Sequence, residues 1–282
     1  MNWFSGDVET NGIRMHYFRT GGDGPPLVLS HGATDSGLCW TRVTQALEAD
    51  YDVIMPDARG HGRSDAPETG YTAADHAADL AGLIRALGLD RPAVGGHSMG
   101  AGSTLRLVAD YPDLAGCAIL EDPPIWVGER PAPPPGREHP REAMRRIVVD
   151  AQTNDLQTTI ARARAASPLW AEEEFGPWAD AKQHVSRQFL DAPFAPAQDW
   201  RELLPRISCP VLLVTSDPER GGIVTPDAAL EASRILPGLQ VVRLSGAGHN
   251  IRRERFDAYV DAIRTFLATA YPRMQARVGA RP

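Results

Sequence analysis

The sequence is poor in lysine and in cysteine. Lys182 is the only lysine, although lysine and arginine together number 29. A phosphate-binding loop needs a Gly-Lys-Ser/Thr run, and a pyridoxal phosphate enzyme needs a lysine in its pocket. Because the residues around Lys182, ADAKQHV, are typical of an exposed helix face, both enzyme classes are disfavoured.

Signals for disulfides, membranes and nucleic acids are also missing. Cys39, Cys117 and Cys209 are odd in number and widely spaced, which is typical of reduced, buried thiols. The first residues show no secretory signal, and no apolar run approaches the roughly 18 residues of a membrane span. The formal net charge of -7 is spread along the chain, which disfavours a nucleic-acid partner. We therefore expect a cytoplasmic protein that is not attached to a membrane.

Motifs for metals and dinucleotides are absent as well. The eight histidines show no H-E-x-x-H spacing, and the cysteines form no closely spaced pair. No G-x-G-x-x-G follows the first predicted parallel strand. We therefore expect neither a bound metal nor a cofactor.

Short apolar runs alternate with helical patterns along most of the chain. Residues 8–18, with Asn11-Gly12 at the turn, predict a β-hairpin. The predicted buried strands are 25–30, 52–57, 92–97, 115–121, 210–217 and 239–245. This alternation predicts an α/β fold with a mostly parallel sheet and helices on both faces. The carboxyl ends of the parallel strands then meet at one edge, where ligands bind in open sheets of this kind.

The alternation breaks between residues 123 and 205. This segment begins with seven prolines between Pro123 and Pro140 and continues with helical patterns. We predict that 123–205 form a helical lid, inserted before the last two strands of a core made of 1–122 and 206–282. The alternative is a separate helical domain on a proline-rich linker, but the sheet would then lack those two strands.

Two sequence runs carry candidate catalytic residues. GHSMG at 96–100 lies between a predicted strand and a predicted helix, where glycines permit a sharp turn that projects the Ser98 hydroxyl from the sheet edge. The alternative, purely structural role for Ser98 is that of a helix N-cap. His249, in SGAGHN, follows the last predicted strand, and an imidazole there can accept the hydroxyl proton. The alternative, purely structural role for His249 is that of a hydrogen-bonded histidine in the core.

Together with HGA at 31–33 and DARGHGRSD at 57–65, these motifs resemble the α/β-hydrolase superfamily. Within it the chain is similar to the lid-bearing esterase, lactonase, epoxide-hydrolase and dehalogenase branch, over roughly residues 9–122 and 207–270. Epoxide hydrolases and dehalogenases of this branch carry aspartate where this chain has Ser98, so those activities are disfavoured. The resemblance implies that the N–H groups of Ala33 and Met99 form an oxyanion hole.

The acid that completes a Ser-His-acid triad is open among four carboxylates. The family usually places it after the strand before the last, where this chain has Asp217 and Glu219. Some members place it one strand earlier, where Glu121 and Asp122 stand. We prefer Asp217, because it ends the strand that should neighbour the final strand, and we keep the other three as alternatives.

The expected reaction is cofactor-independent cleavage of an ester or lactone bond in a mainly apolar small molecule, through an acyl-enzyme. Trp40, Trp126, Trp170 and Trp178 are candidate substrate contacts, although tryptophans could equally pack the lid on the core. The alternative reaction is carbon–carbon hydrolysis of a diketone-like ring-cleavage product. The alternative class is a ligand receptor with little turnover on the same fold. We expect a monomer or a homodimer.

Overall fold

One sheet organises the molecule. The computed structural model describes residues 3–127, 138–192 and 199–278, with side chains up to residue 270. Within these residues eight strands lie in the order β1-β2-β4-β3-β5-β6-β7-β8. They are β1 (Phe4–Thr10), β2 (Ile13–Arg19), β3 (Pro26–Ser30), β4 (Asp52–Pro56), β5 (Ala93–His97), β6 (Cys117–Glu121), β7 (Val211–Thr215) and β8 (Gln240–Arg243).

Strands β1 and β2 form the predicted antiparallel hairpin, and β2 pairs antiparallel with β4. All other neighbouring strands pair in parallel. The prediction of a mostly parallel α/β sheet is therefore confirmed.

The described residues contain eleven α-helices. These are α1 (Thr41–Leu47), α2 (Ala73–Ala86), α3 (Met99–Asp110), α4 (Pro140–Thr153), α5 (Leu156–Ala166), α6 (Glu172–Gln183), α7 (Arg187–Asp191), α8 (Trp200–Leu203), α9 (Pro226–Ile235), α10 (Ile251–Glu254) and α11 (Phe256–Val278). Helices α4 to α8 all lie between β6 and β7, and we call the described residues 138–192 and 199–203 the helical insertion. Part of the proline-rich stretch, residues 128–137, lies outside the described residues.

Apolar side chains fill both faces of the sheet. Along β3, Leu27 and Leu29 belong to one buried cluster, whereas Val28 belongs to the other. Successive strand residues point to opposite faces, so an uninterrupted apolar strand contributes to two cores. Helices α2, α3 and α9 cover one face, and α1 and α11 cover the other. The sheet is thereby fixed from both sides, and its carboxyl edge is left to present polar side chains.

The three cysteines are buried and unpaired. Burial raises the pKa of the Cys39 and Cys209 thiols to about 11. In the part of the chain that the structure describes, no helix combines the length and the apolar character needed to cross a membrane.

Candidate active site

Ser98 lies on the turn between β5 and α3, with φ 52° and ψ -114°. Two glycines make this turn possible. A Cβ on Gly96 would lie 2.4 Å from the backbone of Gly100, and a Cβ on Gly100 would lie 2.3 Å from the Ser30 carbonyl oxygen. The start of α3 therefore packs directly on the end of β3, as the GHSMG run predicts, and the serine stands at the carboxyl edge of the sheet.

The imidazole of His249 faces this serine. Its Nε2 lies 2.9 Å from Ser98 Oγ, and its side chain is 30% exposed. His249 follows β8 and lies two residues before the start of α10. The structure thus brings together the two residues that the sequence motifs single out, and leaves the imidazole accessible from outside.

The other imidazole nitrogen of His249 contacts Asp122. Nδ1 lies 2.6 Å from Asp122 Oδ2, and Asp122 is fully buried. The backbone N–H groups of Ile223 and Val224 also donate to this carboxylate at 2.9–3.0 Å. A carboxylate at Nδ1 keeps the proton on that nitrogen, so Nε2 is free to accept the proton of Ser98.

The predicted position of Asp217 beside His249 is wrong. Its carboxylate accepts from the Gly246 N–H at 2.7 Å and from Arg243 at 2.8 Å. The hydrogen bond from the Gly246 N–H is the main cause that lowers the pKa of Asp217 below its ordinary value, and the bond from Arg243 adds to it. The loop after β8 therefore binds Asp217 through its backbone and not through its histidine.

The two remaining candidate acids also lie elsewhere. Glu219 is exposed and lies 3.9 Å from Arg243. Glu121 is buried and accepts hydrogen bonds from the backbone and side chain of Arg252. Of the four carboxylates, Asp122 is the one that the structure places against His249.

The loop after β3, which carries Ala33, is held by two buried histidines. His31 Nε2 accepts from the Ala58 N–H at 2.9 Å, and His61 Nε2 accepts from the Thr34 N–H at 3.3 Å. Burial lowers the pKa of both histidines, and that of His61 falls well below its ordinary value. They remain neutral acceptors that brace the loop and are not alternative bases.

The side chains of Ala33 and Met99 pack against one apolar cluster of the helical insertion. That cluster is Val148, Val185, Phe189 and Leu190. The two residues named as oxyanion donors therefore lie under the same part of the insertion.

Backbone strain is concentrated at this edge of the sheet. Among the described non-glycine residues, five have positive φ, and three of these are Thr34 (65°), Ser98 (52°) and Asp122 (43°). Such conformations are costly and persist where the surroundings enforce them, which is common at active sites.

Trp40, which the sequence predicts as a substrate contact, lies in the buried core instead. Its side chain is 0% exposed, and the Arg252 guanidinium lies 4.3 Å from its ring centroid. Trp126 is half-buried, and its carbonyl accepts from Trp200 Nε1 at 3.0 Å. Trp40, which directly precedes α1, is therefore a packing residue of the core.

Trp170 and Trp178 are half-buried on the helical insertion, with their rings 6.1 Å apart. The Arg253 guanidinium lies 4.5 Å from the Trp170 ring centroid, and Lys182 Nζ lies 4.4 Å from that of Trp178. Both tryptophans thus cover buried cations, and whether they also touch substrate stays a prediction.

The sequence motifs do not reveal a buried ionic cluster beside the site. Its members are Asp35, Glu121, Glu174, Lys182, Arg252 and Arg253. Lys182 is 2% exposed, so its predicted location on an exposed helix face is wrong. Two signals for the cluster are present in the sequence. One is a single lysine in an arginine-rich chain, and the other is an arginine pair that begins three residues after His249.

Comparison with known proteins identifies the fold family. The model of a protein family described as having the alpha/beta hydrolase fold matches residues 25–252. The chain belongs to the α/β-hydrolase family. In the part of this α/β-hydrolase that the structure describes, no group of three or more His, Cys, Asp or Glu side chains could hold a metal ion.

Several relatives match this α/β-hydrolase over nearly its whole length. The N-formylmaleamate deformylase of Pseudomonas putida is 30% identical over 273 residues, covering 93% of this chain and 96% of the relative. The structure of an N-formylmaleamic acid deformylase, also from Pseudomonas putida, has a TM-score of 0.79 and 26% identity, and covers 92% of this chain and 100% of that chain. That of the Rhodococcus esterase RhEst1 has a TM-score of 0.71 and 28% identity, with 96% and 100% coverage.

Proposed function

We propose that this α/β-hydrolase is a cofactor-independent serine hydrolase in which Ser98 is the nucleophile, His249 the base and Asp122 the acid. The observation that carries the proposal is the continuous hydrogen-bonded chain from Ser98 Oγ to His249 at 2.9 Å and on to Asp122 at 2.6 Å. Nucleophile, base and orienting group within hydrogen-bond reach are the signature of an activated serine.

In the proposed reaction, Ser98 Oγ attacks the substrate carbonyl while its proton moves to His249 Nε2. The backbone N–H groups of Ala33 and Met99 stabilise the oxyanion. The tetrahedral intermediate collapses, the leaving group takes the proton from His249, and an acyl group remains on Ser98. A water molecule then gives its proton to His249 and attacks the acyl carbonyl. Collapse of the second intermediate releases the acid and restores the Ser98 hydroxyl.

Asp122 is suited to the role of the acid by its surroundings. Three N–H contacts from Ile223 and Val224 supplement the bond to His249, so the buried carboxylate is hydrogen-bonded on both oxygens and fixed in direction. In this position it selects the Nδ1–H tautomer and stabilises the imidazolium that forms in the transition state.

The proposed substrate is an ester or lactone of a mainly apolar small molecule. The apolar cluster of the helical insertion packs against Ala33 and Met99. We therefore propose that the insertion acts as the lid and that its apolar side chains receive the acyl part of the substrate. The esterase among the relatives supports this choice.

A second candidate is hydrolysis of an N-acyl bond, with an amine or amide as the leaving group. It is favoured by the deformylase relative, which covers 93% of this chain and therefore spans most of the helical insertion as well as the core. The same acyl-enzyme route serves both bond types, because the attacking groups and the oxyanion donors are unchanged.

A matched substrate panel distinguishes these reactions. Each acyl group, from formyl to octanoyl, is offered once as an ester and once as an N-acyl compound, together with lactones and a vinylogous diketone. We expect the highest kcat/KM for an ester or lactone with an apolar acyl group of medium length. Preference for a short N-acyl compound would transfer the function to the second candidate. Turnover of the diketone alone would show carbon–carbon hydrolysis, and no turnover at all would favour a receptor.

A further inference from the structure

The only lysine of the chain reaches from the helical insertion into the catalytic core. Lys182, near the end of α6, donates from Nζ to the Thr34 carbonyl at 2.7 Å and to Asp35 Oδ1 at 2.9 Å. Thr34 and Asp35 directly follow Ala33 on the loop after β3. One cation of the helical insertion therefore holds the loop that carries a proposed oxyanion donor.

Asp35 is the centre of this contact. Its Oδ2 accepts from Arg253 at 3.0 Å and from Arg252 at 3.2 Å, and both arginines closely follow His249. Arg253 also donates to Glu174, which lies on α6 together with Lys182, at 3.2 Å. Helix α6 is thus tied to the core twice, once at the loop after β3 and once at the helix after His249.

The cluster reaches the acid side of the site as well. The Arg252 backbone N–H donates to Glu121 Oε1 at 2.9 Å, and Glu121 immediately precedes Asp122. Its six members are three basic residues and three carboxylic acids, so their formal charges balance. Removing one partner from such a cluster leaves an uncompensated buried charge, which perturbs the remaining geometry.

The Thr34 backbone gives Lys182 a specific task. Thr34 has φ 65°, a conformation that L residues rarely adopt and that persists only when its surroundings hold it. Two hydrogen bonds hold the Thr34 backbone. Its N–H donates to His61, and its carbonyl accepts from Lys182. One contact comes from the core and the other from the helical insertion.

We infer that Lys182 is a positioning residue, which fixes the Ala33–Asp35 loop for oxyanion binding and makes that order depend on docking of the helical insertion. The inference rests on the proposed serine-hydrolase function. Lys182 touches neither Ser98 nor His249, and it acts through the Thr34 carbonyl and Asp35. The active site is then catalytically competent when α6 is docked on the core.

The kinetic test compares Lys182→Met and Lys182→Arg with wild type. Competent sites are counted by complete fluorophosphonate titration, and kcat and KM for a p-nitrophenyl ester are expressed per titrated site. Lys182→Met should lower kcat per site by about 10- to 100-fold, because small displacements of catalytic groups slow the reaction by this much. The change in KM should be smaller. Lys182→Arg should recover part of the loss. A matched control, Arg164→Met, breaks the exposed Arg164–Glu172 ion pair of the insertion and should leave kcat within twofold.

A normal kcat per titrated site in Lys182→Met, with only a lower melting temperature or fewer sites, would overturn the inference, because it shows a packing role alone. This result is distinct from failure of the proposed function, in which wild type itself neither reacts with the fluorophosphonate nor turns over the ester.

A second test needs no turnover. Since the chain has one lysine, reductive methylation with formaldehyde, which is selective for amines, has two targets, Lys182 and the α-amine. In the native protein Lys182 should stay unmodified while the α-amine reacts, and in urea both should react. Asp35→Asn, which removes the carboxylate that Lys182 contacts, should make Lys182 reactive in the native protein. Equal Lys182 reactivity in native and urea-unfolded wild type would overturn the inference.

Discussion

His249 and Asp122 meet at 2.6 Å although they lie 127 positions apart in the chain. Asp122 follows β6 and His249 follows β8, and β7 lies between these strands in the sheet. Asp122 adopts φ 43° directly after β6, whereas Asp217, two residues after β7, is bound by Gly246 and Arg243. The acid thus comes from the strand next to that of Ser98.

This relationship predicts opposite outcomes for two amide substitutions. Asp122→Asn should lower kcat by about 10³–10⁴-fold, because the amide no longer selects the reactive tautomer or stabilises the imidazolium. Asp217→Asn is the matched control, since Asp217 contacts Arg243 and Gly246, and should cost about tenfold or less. Steady-state kinetics on one ester measure both. A severe loss in Asp217→Asn beside a near-normal Asp122→Asn would reverse the assignment.

The elbow glycines give a second prediction. Gly100→Ala should abolish turnover, since its Cβ would lie 2.3 Å from the Ser30 carbonyl oxygen and displace the start of α3. The control is Gly176→Ala in α6, where a Cβ meets no atom within 4 Å beyond its chain neighbours and its own helix backbone. Alanine there should leave kcat close to that of wild type, because the new Cβ reaches no atom of the active site. Urea unfolding and kcat are measured for both variants, and an active Gly100→Ala would argue against the tight turn.

The tryptophans of the insertion should separate into two groups. Trp200 is 6% exposed, so Trp200→Ala should lower the free energy of unfolding by about 3–5 kcal/mol without a change in substrate preference. Trp170→Ala and Trp178→Ala change half-buried rings, and at least one should alter the kcat/KM ratio between long and short acyl esters. Equal effects on every ester, together with lower stability, would instead assign all three to packing.

A buried histidine should make stability depend on pH. Burial, with a contribution from Arg59, lowers the pKa of His76 from 6.5 to about 3. An unfolded histidine binds a proton below pH 6.5 while folded His76 remains neutral, so this part of the stability is present above pH 6.5 and is lost as the pH falls toward 3. Between pH 7 and pH 5 the loss due to His76 should be on the order of 2 kcal/mol.

Urea unfolding at pH 7 and pH 5 tests this expectation. His76→Asn should show a smaller drop in the free energy of unfolding than wild type, whereas His184→Asn, which changes a side chain that is 50% exposed, should show the same drop. Identical pH dependence in wild type and His76→Asn would contradict the assignment.

Much of the fold and part of the site follow from local sequence. Buried parallel strands appear as uninterrupted apolar runs, so every predicted strand of the core is found, and the hairpin turn at Asn11-Gly12 is confirmed. Ser98 and His249 are recognisable because each occupies a glycine-rich turn at a strand end, and such a turn is encoded within a few residues.

The long-range contacts could not be read in the same way. Asp122 and Asp217 each lie just after a strand, and the choice between them depends on which loop offers N–H groups to which carboxylate. Lys182 looks exposed in its local context, because its partner Asp35 lies 147 positions away. Trp40 looks like a substrate contact until the core that surrounds it is assembled. Side-chain partners across the fold decide these three cases.

The central claim is that Ser98 is an activated nucleophile, and covalent labelling tests it most directly. Wild-type protein is incubated with a fluorophosphonate, and its intact mass and peptide map are recorded. We predict one adduct per chain, on Ser98, with Ser98→Ala unlabelled and its turnover lower by about 10³-fold or more. Absence of an adduct, an adduct on another residue, or substantial turnover in Ser98→Ala would contradict the account.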